Sequence, residues 1–144
     1  LPFKGAHVAS SIANPTVGTR VNPERSLELA LAAAGTAIEN RGQEVQVMDV
    51  RAQTSLFDYF VLATGSSSRQ LHAMSEEIDH TLEDDLNDKR MGIEGYQESR
   101  WIVLDYGSIV VHLFDEESRQ FYDLENLWAG AKLVDITELR SRAQ

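Results

Sequence analysis

A chain of 144 residues with 42% hydrophobic content suits one globular domain with a core of its own. Its 13 Lys and Arg stand against 23 Asp and Glu, a net charge of −10, which repels a phosphate backbone and makes a basic protein a better partner than nucleic acid. The chain has no cysteine, hence neither a disulfide framework nor a thiolate metal site, and no apolar run reaches the roughly 18 residues of a membrane span. A soluble, cytoplasmic protein is the expectation.

Residues 1–20 mix Pro2, Gly5, Pro15 and Gly18 with small polar residues and show no period, so they read as a flexible arm or an expression remnant. Asn22-Pro23-Glu24 is a helix start: a capping side chain, proline at the first helical position, then an acid near the positive end of the helix dipole. Leu27, Ala30, Leu31, Ala34 and Ile38 recur at helical spacing up to the stop signal Asn40-Arg41-Gly42, which predicts a helix over about 23–40.

Two strands are expected next. Glu44 to Val50 alternates, with Val45 and Val47 on one side and Met48 and Val50 on the other; Tyr59 to Ala63 is apolar on both sides, the mark of a central strand. After Gly65, any of Ser66 to Ser68 suits the cap of a helix over about 68–87, with Leu71, Met74, Ile78, Leu82 and Leu86 as its buried stripe. Its other face carries Glu76, Glu77, Asp79, Glu83, Asp84, Asp85 and Asp88, read as a solvated surface. His72, Glu76 and His80 lie at metal-like spacing, but they are placed on the solvent side and drift around the helix, so no metal is expected.

Trp101 to Asp105 and Ser108 to Phe114 are strands joined through Tyr106-Gly107, a spacing that predicts a tight hairpin. His112 is the lone polar side chain in the run Ile109 to Phe114 of the second strand and reads as a structural core group. A short helical turn capped by Asp115 should run through Phe121, followed by another capped by Asp123 with Leu124, Leu127 and Trp128 on one side. The order helix, two strands, helix, antiparallel hairpin, short helices implies an α/β domain with a mixed sheet.

Chemistry is scarce along this frame. The turn made by Gly65, Ser66, Ser67 and Arg69 offers backbone N–H groups at a helix start, where an anion fits. It has neither a Walker lysine nor a GxGxxG spacing, and capping explains the serines equally well. A Gly-Ser pair on such a turn also occurs in nucleotidyltransferases, whose metal chemistry needs paired acids on a neighbouring strand; the later strands offer Asp105 alone. No G-x-S-x-G elbow accompanies the many serines. Catalysis and a cofactor are therefore not expected.

The runs Asp58-Tyr-Phe-Val-Leu-Ala-Thr-Gly-Ser-Ser-Ser-Arg-Gln70, Ile93-Glu-Gly95, Trp101-Ile-Val-Leu-Asp-Tyr-Gly107, Val110-Val-His-Leu-Phe114, Glu117-Ser-Arg119, Phe121-Tyr-Asp-Leu-Glu125 and Leu127-Trp128 closely resemble the ribosomal silencing factor family, also called RsfS or Iojap. The resemblance covers roughly residues 23–136. It implies a nucleotidyltransferase-like fold, a mixed sheet flanked by helices and catalytically degenerate, with a domain over 21–137 and a flexible tail over 138–144. It also implies a function: members bind the large ribosomal subunit through its ribosomal protein fourteen at the intersubunit face, and thereby prevent the small subunit from joining when nutrients are scarce. The family is often homodimeric.

By position in the family motif, Trp101, Asp105 and Tyr106 at the hairpin are the expected partner-binding residues, with Tyr122 a weaker candidate. Buried aromatics dominate interface energies, and a desolvated carboxylate can pair with Lys or Arg. On this reading Trp101→Ala and Asp105→Lys abolish association and leave the fold intact. An anion- or nucleotide-binding domain, a large-subunit assembly factor and a plain dimerisation module stay open as alternatives.

Overall fold

The computed structural model describes residues 22–143, and the arm expected over residues 1–20 lies outside them. Helix α1 spans Pro23–Glu39 and starts as its sequence dictates, with the Asn22 side chain accepting the Glu24 N–H at 2.7 Å. It ends where Arg41 takes φ 66° and the Gly42 N–H turns back to the Ala37 carbonyl at 2.8 Å.

Strands β1 (Gln43–Asp49), β2 (Tyr59–Gly65), β3 (Gly92–Glu94), β4 (Trp101–Asp105), β5 (Ile109–Asp115) and β6 (Lys132–Leu133) form a six-stranded sheet in the order β3-β4-β5-β2-β1-β6. β2 and β5 run parallel and the other neighbours antiparallel, so the sheet is mixed. The parallel pair requires a crossover, and helix α2 (Ser68–His80) supplies it. Ser67 caps that helix by accepting the Gln70 N–H at 3.0 Å. The helix expected over 68–87 changes winding partway: after His80 it continues as a single π turn over Thr81–Asp85.

Alternation along the strands divides the core in two. Val45, Val47, Tyr59, Val61 and Ala63 face α1 and α2, where Leu71, Met74, Ile78 and Leu82 are fully buried; each such side chain contributes about 1.5–3 kcal/mol. Met48, Val50, Phe60, Leu62, Val103, Val110 and Phe114 face the other way. That second face has no long helix over it. Phe57 covers it from the loop before β2, Leu124 from the second of two short helices, α3 (Glu116–Tyr122) and α4 (Leu124–Leu127), and Trp128 and Ala131 from the chain just after α4.

Three local expectations differ from the structure. Asp115 caps α3 by accepting the Ser118 N–H at 2.7 Å, but Asp123 makes no such cap; it sits at φ 47° and breaks the chain between α3 and α4. That turn swings Leu127 outward, 69% exposed, away from the side that Leu124 packs. Residues 138–142, read as tail, belong to helix α5 (Thr137–Arg142), and the Arg140 guanidinium donates to the Val45 carbonyl at 2.6 Å. The contact is with backbone, so no sequence period announces it. Among the described residues no helix is long and apolar enough to cross a membrane.

Candidate functional site

Trp101 opens β4 at the edge of the second sheet face, with register partners Phe114 for Trp101 and His112 for Val103. Its ring stacks on Phe114 at 5.0 Å between centroids and leans on Tyr122 at 4.7 Å, while its indole N–H donates to His112 Nδ1 at 3.1 Å. Trp101, Tyr122 and Val103 together with Glu94, Gly95, Glu98 and Arg100 line a groove of about 250 Å³. The walls are aromatic and the rim is mainly acidic. Arg100, its one cation, pairs with Glu117 at 3.4 Å.

Gly95 gives this groove its shape. It lies at φ 76°, and a Cβ there would sit 2.1 Å from the Trp101 carbonyl oxygen, so only glycine lets the chain pass so close to the start of β4. The next turn is pinned to α2: the Tyr96 ring stacks on His72 at 4.1 Å, and the Ser99 hydroxyl lies 2.7 Å from His72 Nε2. His72 is thus half-buried structure rather than solvent decoration, Glu76 accepts the Tyr96 hydroxyl, and His80 pairs instead with Asp84 at 2.6 Å.

The other two expected contact residues lie elsewhere. Asp105 is four residues along β4 from Trp101, roughly 13 Å away in an extended strand. It is 5% exposed, and its carboxylate accepts the Gly107 N–H at 2.8 Å. Burial pushes its carboxyl above the usual range, opposed by that N–H. Tyr106 projects from the opposite face, buried in the helix-covered core, where its hydroxyl donates to Asp79 at 2.9 Å. Burial and the Asp79 carboxylate both push its phenol upward. The hairpin therefore separates the expected cluster: Trp101 and Tyr122 meet, whereas Asp105 and Tyr106 stabilise the far end.

At the turn expected to suit an anion, the polar groups have internal partners. The Ser66 N–H and hydroxyl both donate to Gln70 Oε1, at 2.6 and 3.0 Å, and Ser67 is the helix cap. Gly65 is buried against Leu71, and Arg69 is exposed. Gln70 also ties this turn to the end of α1 by donating to the Asn40 and Arg41 carbonyls.

Arg119 is the residue that sequence reading missed. Its side chain is 4% exposed, and it donates to Thr64 on β2 at 2.8 Å, to the Glu44 carbonyl on β1 at 2.9 Å and to Glu125 at the start of α4 at 2.9 Å. It clamps α3, which carries Tyr122, onto the sheet. A single arginine in a charged run has no period that would single it out. Sequence reading gives the groove residues Glu94 and Glu98 no role either: Glu94, present there only within the Ile93-Glu-Gly95 run, reaches the groove by pairing with Val103 on β4, and Glu98 reaches it from the β3–β4 connection.

Fold and site together define a small α/β domain whose mixed sheet is helix-covered on one face and carries an aromatic, acid-rimmed groove at the edge of the other. The chain belongs to the ribosomal silencing factor family: residues 23–144 match the family model described as ribosomal silencing factor during starvation. It is 34% identical over 117 residues to the ribosomal silencing factor RsfS of Bacillus subtilis, covering 81% of this chain and 95% of that one. It is also 34% identical over 92 residues to mitochondrial assembly of ribosomal large subunit protein 1 of Mus musculus, covering 62% of this chain and 40% of that protein. A crystal structure of a Chromobacterium violaceum protein superposes with a TM-score of 0.67 at 30% identity, over 78% of this chain and 90% of that one. The family description names a silencing factor, not an enzyme.

Proposed function

We propose that the protein represses translation in a bacterial cytoplasm by binding ribosomal protein fourteen of the large ribosomal subunit, so that its bulk blocks joining of the small subunit. The observation that carries this reading is the groove at Trp101 and Tyr122 with Glu94 and Glu98 on its rim, in a member of a family described by ribosome silencing. An aromatic anchor inside a rim of acids suits a basic protein surface: the rings supply desolvated contact area, and the carboxylates supply steering and pairing for Lys or Arg. The net charge of −10 keeps the domain from binding bare RNA indiscriminately. Asp105 and Tyr106 support the hairpin that presents Trp101. The exposed side chains of Phe121, Leu127 and Leu133 support self-association as a homodimer in the free protein.

Co-sedimentation with separated ribosomal subunits tests the reading. The wild-type protein should pellet with large subunits, not with small ones, and reduce the yield of joined ribosomes when both are mixed. Trp101→Ala and Tyr122→Ala should weaken both effects without changing the circular dichroism spectrum. Wild-type binding by both variants would remove the groove as the contact, and subunit joining unaffected by saturating protein would remove silencing by steric block.

A second reading, help in assembling the large subunit, is favoured by the name of the mouse relative. It uses the same contact and differs in timing. Cells lacking the protein would then accumulate large-subunit precursors during growth in rich medium, which silencing alone does not predict.

A further inference from the structure

We infer that His112 is a positioning residue for the groove: as a neutral imidazole with its proton on Nε2, it holds the Trp101 indole in the orientation in which that ring meets Tyr122. The inference rests on the groove being the contact surface proposed above. Its physical basis is a donor and acceptor count. An indole nitrogen only donates, so the 3.1 Å contact from Trp101 Nε1 requires His112 Nδ1 to be the acceptor. The ring proton must then lie on Nε2, which is buried and has no hydrogen-bond partner among the described residues.

That arrangement is unfavourable for stability alone. His112 is 2% exposed within the run Ile109 to Phe114, which is otherwise apolar, and an aliphatic side chain there would spare the fold the unpartnered Nε2–H, at the cost of the acceptor for the Trp101 indole. The imidazole is instead fixed from both sides, with its edge against Phe60 at 4.9 Å and a parallel offset to Phe114 at 6.3 Å. Burial and the nearby Arg119 charge also keep it neutral, which preserves the Nδ1 lone pair. Phe114 and Tyr122 present flat surfaces to the indole. The hydrogen bond to His112 adds a direction within them.

The test uses the full-length protein and replaces His112 in two ways. His112→Leu fills the space and removes the acceptor; His112→Asn places an amide oxygen near the Nδ1 position and restores one. The readouts are the indole N–H resonance of Trp101 in proton–nitrogen correlation spectra, assigned with Trp101→Phe, its solvent-exchange rate, and affinity for isolated large ribosomal subunits. We expect His112→Leu to shift the indole resonance, speed its exchange at least tenfold and weaken subunit binding about tenfold, and His112→Asn to recover much of all three. In Trp101→Phe, which lacks the donor, adding His112→Leu should change binding little further.

An unmoved indole resonance in His112→Leu overturns the inference, as does a loss of binding that Asn does not rescue or that adds fully to Trp101→Phe. A shifted resonance with wild-type binding, while Trp101→Ala does lose binding, confines His112 to the fold and also overturns it. If Trp101→Ala itself binds like wild type, the proposed contact surface fails and this inference with it, and the indole resonance shows separately whether the positioning bond was real.

Discussion

Removing the Arg119 guanidinium from α3 should be strongly damaging, because it leaves polar groups on three other elements without their donor. Arg119→Ala strips Thr64, 1% exposed, of its donor and leaves the Glu44 carbonyl and the Glu125 carboxylate unpaired. Breaking a buried ion pair from one side costs about 3–5 kcal/mol. Glu125 is 33% exposed and recovers part of its hydration, so the lower end, about 3 kcal/mol, is the expected value. For a domain of this size that is roughly a 10 °C fall in melting temperature. Chemical denaturation of wild type and Arg119→Ala, followed by circular dichroism at neutral pH, measures it directly. Arg119→Met with Glu125→Gln should recover at least about 1 kcal/mol of the loss, since no charge is left alone. An Arg119→Ala variant within about 1 kcal/mol of wild type would refute the clamp, and with it the claim that Arg119 holds α3 and Tyr122 in place.

Two further outcomes follow from buried groups near the site. Asp105→Lys places an ammonium where a 5% exposed carboxylate caps Gly107, so it should abolish the cooperative unfolding transition instead of acting as a clean binding mutation, whereas Asp105→Asn keeps an acceptor and should fold; a wild-type melting curve for the lysine variant would contradict this. His112 has its pKa lowered from 6.5 to about 3, so the unfolded chain holds the extra proton between those values and the fold loses stability as pH falls through that window, at most about 1.4 kcal/mol per pH unit. His112→Leu should lack that slope. The raised carboxyl of Asp105 acts in the opposite sense in both proteins, so it cancels in the comparison. Parallel stability curves for wild type and variant between about pH 7 and pH 4.5 would show that His112 titrates normally.

Much of the scaffold was legible because short-range rules governed it. Asn22, Ser67 and Asp115 cap the helices their positions suggested, and period-two alternation assigned Val45 and Val47 to one face and Met48 and Val50 to the other. Tyr59 to Ala63, apolar on both sides, is central because both of its faces are covered. Local rules failed where partners are distant: Arg140 answers to a carbonyl 95 residues away, and His72 belongs to Tyr96 and Ser99 rather than to its own helix surface.

Residue types and spacing, then, determined an acidic α/β domain with a central apolar strand and a tight hairpin, and its ordered motifs pointed to the ribosomal silencing factor family, to which the comparison assigns it. Only the tertiary structure decided which hairpin residues share a surface. Neighbouring side chains on a strand face opposite ways and residues four apart are separated by roughly 13 Å, so Asp105 and Tyr106, adjacent in the motif, sit apart from Trp101. Tyr122, from a helix beyond the next strand, is what reaches it, with His112 behind the indole and Gly95 allowing the chain to pass in front.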